Sequence, residues 1–322
     1  MNVRHISYFN HWHGALVTNM LAGVLLALAL LPGAIAFSFI AGVSPTIGML
    51  STGLMMLVIS LTGNRTLMVS APSSGVSLVV APLMSSHGMP AVILATLIMG
   101  IIQILMGICR INKLLDYIPT GVVIGFMNAL GVLLFTSQLK NILNISNATY
   151  VIAVASFLII WLAQRYIRFM PAPLIAIIIL TICAWWLKPD IVYVHHLASL
   201  HIHVPMLSFP DAMYDMHIVG ISSMYGVTMA IVAVVQTTLT ARMMDAVTAT
   251  KSDKNKETIG QGVANTIVAL FGGYGGSALV GQSRFNATMG ATSRVSTLIT
   301  GAFYSLAYSF LEILSVKYQW QC

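Results

Sequence analysis

Long apolar runs separated by short polar stretches dominate this chain of 322 residues. A helix needs about 20 mostly apolar residues to cross roughly 30 Å of hydrocarbon, and runs near this length recur from end to end. We predict an all-α polytopic membrane protein. Its spans are Gly14–Ile40 (interrupted at Leu31-Pro32-Gly33), Ile47–Leu61, Leu67–Met84, Ala91–Cys109, Gly121–Leu139, Val151–Tyr166, Leu174–Leu187, Ile218–Val247, Ile259–Leu270 and Val295–Leu314.

Two segments depart from this pattern. Phe271–Gly290 begins with four glycines in six residues and then turns polar, while Leu67–Met84 is short and holds two prolines and four serines. Broken backbone is tolerated at membrane depth only inside protein or along a water-filled cavity. We interpret each segment as a half-helix whose free N–H groups and dipole favour an anion at its N-terminus. The alternatives are a surface loop for the first and ordinary proline kinks for the second.

The two half-helix segments recur in the same order. Each follows a long span and then a second span, and the two sets run in opposite directions through the membrane. Paired broken segments in inverted halves indicate a transporter with its site near the middle of the membrane. We therefore predict a first repeat over 14–187, an external loop over 188–217, and a second repeat over 218–322.

Composition and charge support the membrane interpretation. The chain is 58% hydrophobic and only 7% charged, against about a quarter charged in soluble domains. Its formal net charge of +7 is better explained by cytoplasmic loops than by nucleic acid. A cytoplasmic N-terminus places eleven of the fifteen Lys and Arg residues inside. These are Arg4, Arg65, Arg110, Lys113, Arg165, Arg168, Arg242, Lys251, Lys254, Lys256 and Arg294.

Other chemistry is weakly represented. The sequence shows no nucleophile paired with a base and no phosphate-binding glycine loop opening a soluble helix, so we predict neither an enzyme nor a cofactor. The histidines near the N-terminus and in the external loop lack further ligands at metal spacing, and we predict no metal site. Asp245 beside Arg242 indicates a surface pair at a helix end, and Glu257 falls near a span end or in a cytoplasmic loop. Arg284 has two interpretations, a counter-charge to the anion or a side chain that extends to the cytoplasmic surface.

Three stretches resemble a known family. They are NMLAGVLLALALLPGAIAFSFIAGVSPTIGM (Asn19–Met49), YIPTGVVIGFMNALGVLLFTSQLKNILNI (Tyr117–Ile145) and NKETIGQGVANTIVALFGGYGGSALVGQSRFNATMGATSRVS (Asn255–Ser296). In this order and separation they are similar to the first, fifth, and ninth and tenth spans of the sulfate permease (SulP, solute carrier family 26) anion transporters. The resemblance covers nearly the whole chain to about Ser309.

The resemblance implies a fold of seven plus seven inverted spans, in which a core domain and a gate domain move against each other. Such proteins carry sulfate, bicarbonate, chloride or dicarboxylates, are usually dimers, and reside in the cell (inner) membrane. Their anion lies between the facing N-termini of the third and tenth helices, beside the first and eighth. By position the implied substrate-binding residues are Ser73, Ser74, Gly75, Ser277, Ala278, Leu279 and Phe37.

The chain departs from the family pattern in two places. Gln236 stands where many relatives have an acidic residue in the eighth span, and an amide cannot titrate to couple H⁺ or Na⁺. We give it either a structural or a substrate-binding role. The chain also lacks the last three spans and the soluble STAS domain, so we expect an incomplete second repeat. A truncated, non-transporting remnant and a nucleobase-type permease of the same fold remain as alternatives.

Overall fold

A computed structural model describes residues 16–115, 117, 120–139, 142–143, 146–167, 172–187 and 215–319, and these fold almost entirely into helices. The helices are α1 (Leu16–Ala41), α2 (Pro45–Thr62), α3 (Ser74–Ile108), α4 (Asn112–Leu115), α5 (Thr120–Leu139), α6 (Asn147–Tyr166), α7 (Ala172–Leu187), α8 (Met216–Thr248), α9 (Lys254–Leu270), α10 (Val280–Thr288) and α11 (Val295–Gln319). Two short strands, β1 (Ser70–Ala71) and β2 (Ser277–Ala278), complete the described elements.

The helices follow the predicted spans, with two differences. The interruption expected at Leu31-Pro32-Gly33 is absent from the described backbone, because α1 continues through Pro32. The spans predicted at Leu67–Met84 and Ala91–Cys109 become one element, α3, which is broken at Gly88. Gly88 has φ 71° and ψ −173°, a conformation that only glycine adopts readily. Most of the predicted external loop, from 188 to 214, lies outside the described residues.

Five helices among the described residues are long and apolar enough to cross a membrane, namely α1, α2, α3, α6 and α8. Large apolar side chains cover the outside of α6 and α7, where Trp161 is 63% exposed, Trp185 76% and Trp186 84%. A surface this apolar is stable in contact with lipid but not with water. The described chain is therefore built as an integral membrane protein.

The two strands were not predicted. β1 pairs antiparallel with β2, with Ser70 opposite Ala278 and Ala71 opposite Ser277. A Cβ added at Gly276 would lie 2.2 Å from the carbonyl oxygen of Ala71, so only glycine permits this crossing. The elements α1–α2–β1–α3 and α8–α9–β2–α10 follow the same order, and the antiparallel crossing joins the corresponding points of the two sets.

α3 packs between α8 and α9, and α2 and α11 form the opposite side of the same body. Glycines allow the closest helix approach. A Cβ at Gly262 on α9 would lie 2.7 Å from the carbonyl oxygen of Gly100 on α3. Buried aliphatic side chains and Met99, Met229 and Tyr274 fill the space around this contact. The half-helices are therefore fixed to a tightly packed support.

We expect Gly262→Ala to lower the melting temperature of the purified protein, because the added methyl group overlaps backbone atoms and overpacking costs about 1–3 kcal/mol. Gly220→Ala on α8 is the matched control, since nothing lies within 4 Å of its added Cβ. There alanine should be neutral or stabilising by up to about 1 kcal/mol through helix propensity. Thermal unfolding in detergent measures both changes, and equal melting temperatures for the two variants would contradict this packing.

Candidate anion site between two half-helices

Two helix N-termini begin directly after the crossing strands. α3 starts at Ser74, following Ser73 in extended conformation, and α10 starts at Val280, following Leu279. In the described structure neither residue before the helix caps it with a side-chain hydrogen bond. The first turn of a helix has N–H groups without an intrahelical partner. These uncapped turns therefore provide backbone donors and the positive end of two helix dipoles.

Two of the residues implied by the resemblance, Ser73 and Ser277, form one buried polar cluster with Gln236. Ser73 Oγ donates to Gln236 Oε1 at 3.0 Å. Ser277 Oγ lies 2.6 Å from the same oxygen and 2.8 Å from Ser73 Oγ. Ser73 is 1% exposed, Ser277 0% and Gln236 6%. The cluster joins both half-helices to α8 through side chains alone.

The hydroxyl protons of this cluster are already engaged. Each serine has one O–H to donate, and Gln236 Oε1 accepts from both Ser73 and Ser277. The amide nitrogen of Gln236 then faces Gly75, where an added Cβ would lie 2.9 Å from Nε2. The hydrogen bonds fix this orientation of the amide, because the two serine hydroxyls donate to its oxygen and not to its nitrogen. An anion at the α3 N-terminus would thus compete with Gln236 Oε1 for the serine donors.

Access to the cluster comes from its less buried side. Ser74 and Phe37 are half-buried, as is Gln282 in the first turn of α10, and Gly281 beside it is exposed. Phe37 Cε2 and Gln282 Nε2 both lie 3.9 Å from a Cβ built on Gly33. The Phe37 ring of α1 and the α10 N-terminus therefore border the same space.

Ala278 and Leu279 are buried at β2 and the start of α10, and their N–H groups are in use. Ala278 N donates to Thr237 Oγ1 at 3.3 Å, and Leu279 N donates to Val69 O at 2.8 Å. The uncapped donors on this side therefore begin at Val280. Ala278 and Leu279 therefore lie beside the cluster, but the first uncapped N–H group belongs to Val280, one position after Leu279.

Several buried polar residues around the site were not predicted. The Asn265 side chain on α9 hydrogen-bonds to both backbone groups of Gly276. It accepts from the N–H group at 2.9 Å and donates to the carbonyl oxygen at 3.2 Å. Ser70 Oγ donates to Gln261 Oε1 at 2.9 Å, and Val69 N donates to Ser283 Oγ at 2.9 Å. Buried polar groups need such partners because leaving them unpaired is costly. Gln261 and Asn265 within an apolar span were the signal that could have revealed this support.

The site itself is electrically neutral in its side chains. Among the described residues, no ionisable side chain hydrogen-bonds to the Ser73–Ser277–Gln236 cluster, and no group of three His, Cys, Asp or Glu could hold a metal ion. Arg284 on α10 is exposed. Asp245, placed beside Arg242 by the sequence analysis, forms ion pairs with Arg65 and Lys254 and is only 13% exposed in its side chain.

Comparisons with known proteins show the family and the fold of this chain. The model of the sulfate permease family matches residues 16–159 and 144–316. The putative sulfate transporter YbaR of Bacillus subtilis (strain 168) is 37% identical over 306 residues, which are 95% of this chain and 64% of YbaR. The bicarbonate transporter BicA of Picosynechococcus sp. is 22% identical, with 87% of this chain and 55% of BicA covered. The chain thus spans less than two thirds of the length of these relatives.

The fold has a solved counterpart. The transmembrane domain of a cyanobacterial bicarbonate transporter BicA superposes with a TM-score of 0.83 at 22% identity, covering 94% of this chain and 85% of that one. This likeness confirms the inverted-repeat transporter fold expected from the sequence. With the family model matching nearly the full length, the chain belongs to the sulfate permease family.

Proposed function

We propose that this protein carries a small inorganic anion of the sulfate, bicarbonate or chloride class across a membrane by secondary transport. The observation that carries the proposal is the pair of uncapped N-termini, α3 and α10, meeting at a neutral serine–glutamine cluster. Backbone N–H groups and helix dipoles attract an anion. Neutral donors also release it again, whereas a fixed cation beside the site would hold it more tightly.

The anion binds at the first turns of α3 and α10. Ser74, Gly75 and the first N–H groups of α10 provide donors, and the Phe37 ring forms one wall of the space. Ser73 and Ser277 turn from Gln236 Oε1 to the anion, while Ala278 and Leu279 hold the crossing strand in place through Thr237 and Val69. Gln236 Nε2, next to Gly75, becomes a further donor once its oxygen loses the serine hydroxyls.

Transport proceeds by alternating access. The α1–α3 and α8–α11 body holds the anion, and α5–α7, which contact that body only sparsely, move against it. We place the protein in the cell (inner) membrane with a cytoplasmic N-terminus, following the distribution of Lys and Arg, and as a homodimer. Gln236 provides no titratable group, so the site itself does not couple transport to H⁺.

Uptake into proteoliposomes tests the substrate class. We expect uptake of radiolabelled sulfate or bicarbonate by the reconstituted chain and none of uracil, since a neutral base gains nothing from two helix dipoles. Uptake of uracil alone would identify a nucleobase-type permease. If the chain takes up none of sulfate, bicarbonate, chloride and uracil, it is not a transporter by itself and the proposal fails.

Ser277→Trp should abolish anion uptake, because Ser277 is fully buried between Ser73 and Gln236 and an indole there fills the site. Ser85→Trp is the control, since Ser85 is exposed near the other end of the half-helix. That variant should keep most of the wild-type uptake rate. Uptake unaffected by Ser277→Trp would place the anion elsewhere.

Gln236→Glu should weaken sulfate binding at least tenfold at neutral pH. An ionised carboxylate a few Å from the anion repels it, and two charges 4 Å apart interact by about 4 kcal/mol at an effective dielectric constant near 20. Affinity should recover as the pH falls and the introduced carboxyl group is protonated. Gln236→Met, uncharged and similar in size, controls for shape and should show no such pH dependence in equilibrium binding of ³⁵S-sulfate.

A further inference from the structure

Glu257 is a fully buried carboxylate outside the anion site. It lies in the first turn of α9 and is 0% exposed. Its Oε2 accepts the backbone N–H groups of Asn64 at 2.5 Å and Arg65 at 2.6 Å. Both residues belong to linker 63–69, which leads from the end of α2 into β1 and the first half-helix. Glu257 therefore anchors the start of this linker.

The other end of linker 63–69 is bound to the second half-helix. Asn286 Nδ2 on α10 donates to Leu67 O at 3.1 Å, and Val69 N donates to Ser283 Oγ at 2.9 Å. Leu279 N donates to Val69 O at 2.8 Å. A single linker thus spans from the carboxylate of Glu257 to the half-helix α10. Movement of the linker would shift both half-helices at once.

Two buried arginines, one in each repeat, lie within electrostatic range of Glu257. Arg65 precedes the first half-helix, is 8% exposed, and donates to Met244 O at 2.8 Å and Thr250 Oγ1 at 2.6 Å. Arg294 follows the second half-helix, is 3% exposed, and donates to Ser60 O at 3.0 Å. Burial raises the pKa of the Glu257 carboxyl group, while the backbone hydrogen bonds from Arg65 and Asn64 and the charges of Arg294 and Arg65 act in the opposite direction. The arginines that flank the two half-helices therefore both act on Glu257 through their charges.

The charge of Glu257 matters as much as its hydrogen bonds. Its second oxygen, Oε1, is buried with no hydrogen-bond partner in the described structure, and so is Arg65 Nε. Asp245 also contacts Arg65, with 3.4 Å between Oδ1 and the guanidinium, but Lys254 shares that carboxylate. A buried charge left without its partner is strongly destabilising. The buried group formed by Glu257, Arg65 and Arg294 therefore needs a negative charge at position 257. A glutamine side chain has the same shape but does not supply this charge.

We propose that Glu257 is a positioning residue, whose buried carboxylate holds linker 63–69 and so sets the two half-helix N-termini at the spacing that anion binding requires. The carboxylate does not touch the anion; it acts through linker 63–69 and through Arg294 at the end of the second half-helix. The effect on affinity rests on the proposed function, whereas the effect on half-helix spacing does not.

Spin-label distances test the spacing directly. Labels at Ser85→Cys on α3 and Thr288→Cys on α10, both exposed positions, are introduced after Cys109, Cys183 and Cys322 are replaced by serine. Pulsed electron–electron double resonance measures the distance between the two labels. In Glu257→Gln the distance distribution should be shifted or broadened relative to that of the protein with Glu257. Asp253→Asn is the matched control, because Asp253 caps the same helix one turn earlier from an exposed position. It should leave the distribution unchanged.

Sulfate binding tests the functional consequence. Glu257→Gln should weaken ³⁵S-sulfate binding at least tenfold, and Asp253→Asn should not. If the cause is charge, the double variant Glu257→Gln/Arg294→Gln should bind sulfate more tightly than Glu257→Gln alone, since it also removes the buried positive charge that follows the second half-helix. A merely structural role predicts that the two losses add.

The outcomes are separable. An unchanged distance distribution and unchanged sulfate affinity in Glu257→Gln would overturn the inference, as would additive losses in the double variant. If the wild-type chain binds no sulfate, bicarbonate or chloride, the proposed function fails, and the distance measurement alone then decides the positioning role. If Glu257→Gln does not fold, the double variant still tests the charge argument, because the inference expects it to recover folded protein.

Discussion

The structure depends on one constraint, which is that backbone polar groups interrupted in the middle of a membrane must find partners inside the protein. Each repeat breaks its third span there, and the broken ends are satisfied by crossing as two antiparallel strands. Polar groups at the crossing that the strand pairing does not use hydrogen-bond to side chains of neighbouring helices. These side chains belong to Asn265, Gln261, Thr237 and Ser283. In hydrocarbon an unpaired N–H or C=O costs several kcal/mol, so this polar support is a condition for the fold.

The same constraint produces the two uncapped helix N-termini of the candidate anion site. The crossing strands use their own N–H groups, but the helices that follow them begin with uncapped first turns. Ser73 would be the natural capping residue of α3, yet its hydroxyl turns toward Gln236. The N–H groups in the first turn of α3 have no side-chain cap, because the Ser73 hydroxyl hydrogen-bonds to Gln236 on α8 instead. In the proposed function, the anion and Gln236 would therefore compete for the same hydroxyl group.

Buried charged side chains lie away from the candidate anion site and close to the segments that support it. Four buried or largely buried charged residues lie where the linkers that flank both half-helices meet the ends of α8 and α9. They are Arg65, Arg294, Glu257 and Asp245. Burial lowers the pKa of the Arg65 guanidinium, and the nearby Asp245 and Glu257 act in the opposite direction. The ion pairs are therefore in the supporting segments, whereas the candidate site contains helix N-termini and neutral donors.

The sequence by itself determined the membrane class, most span boundaries, the inverted order and the residues Ser73, Ser277 and Gln236 as neighbours. These follow from local signals, namely apolar length, glycine and proline breaks, and motif resemblance. The tertiary structure alone decided the strand pairing of Ser70 with Ala278, the continuity of α1 through Pro32 and the burial of Glu257. Each of these depends on contacts between residues far apart in the chain, such as Glu257 with Asn64, and no local periodicity encodes which distant partner will satisfy a buried polar group.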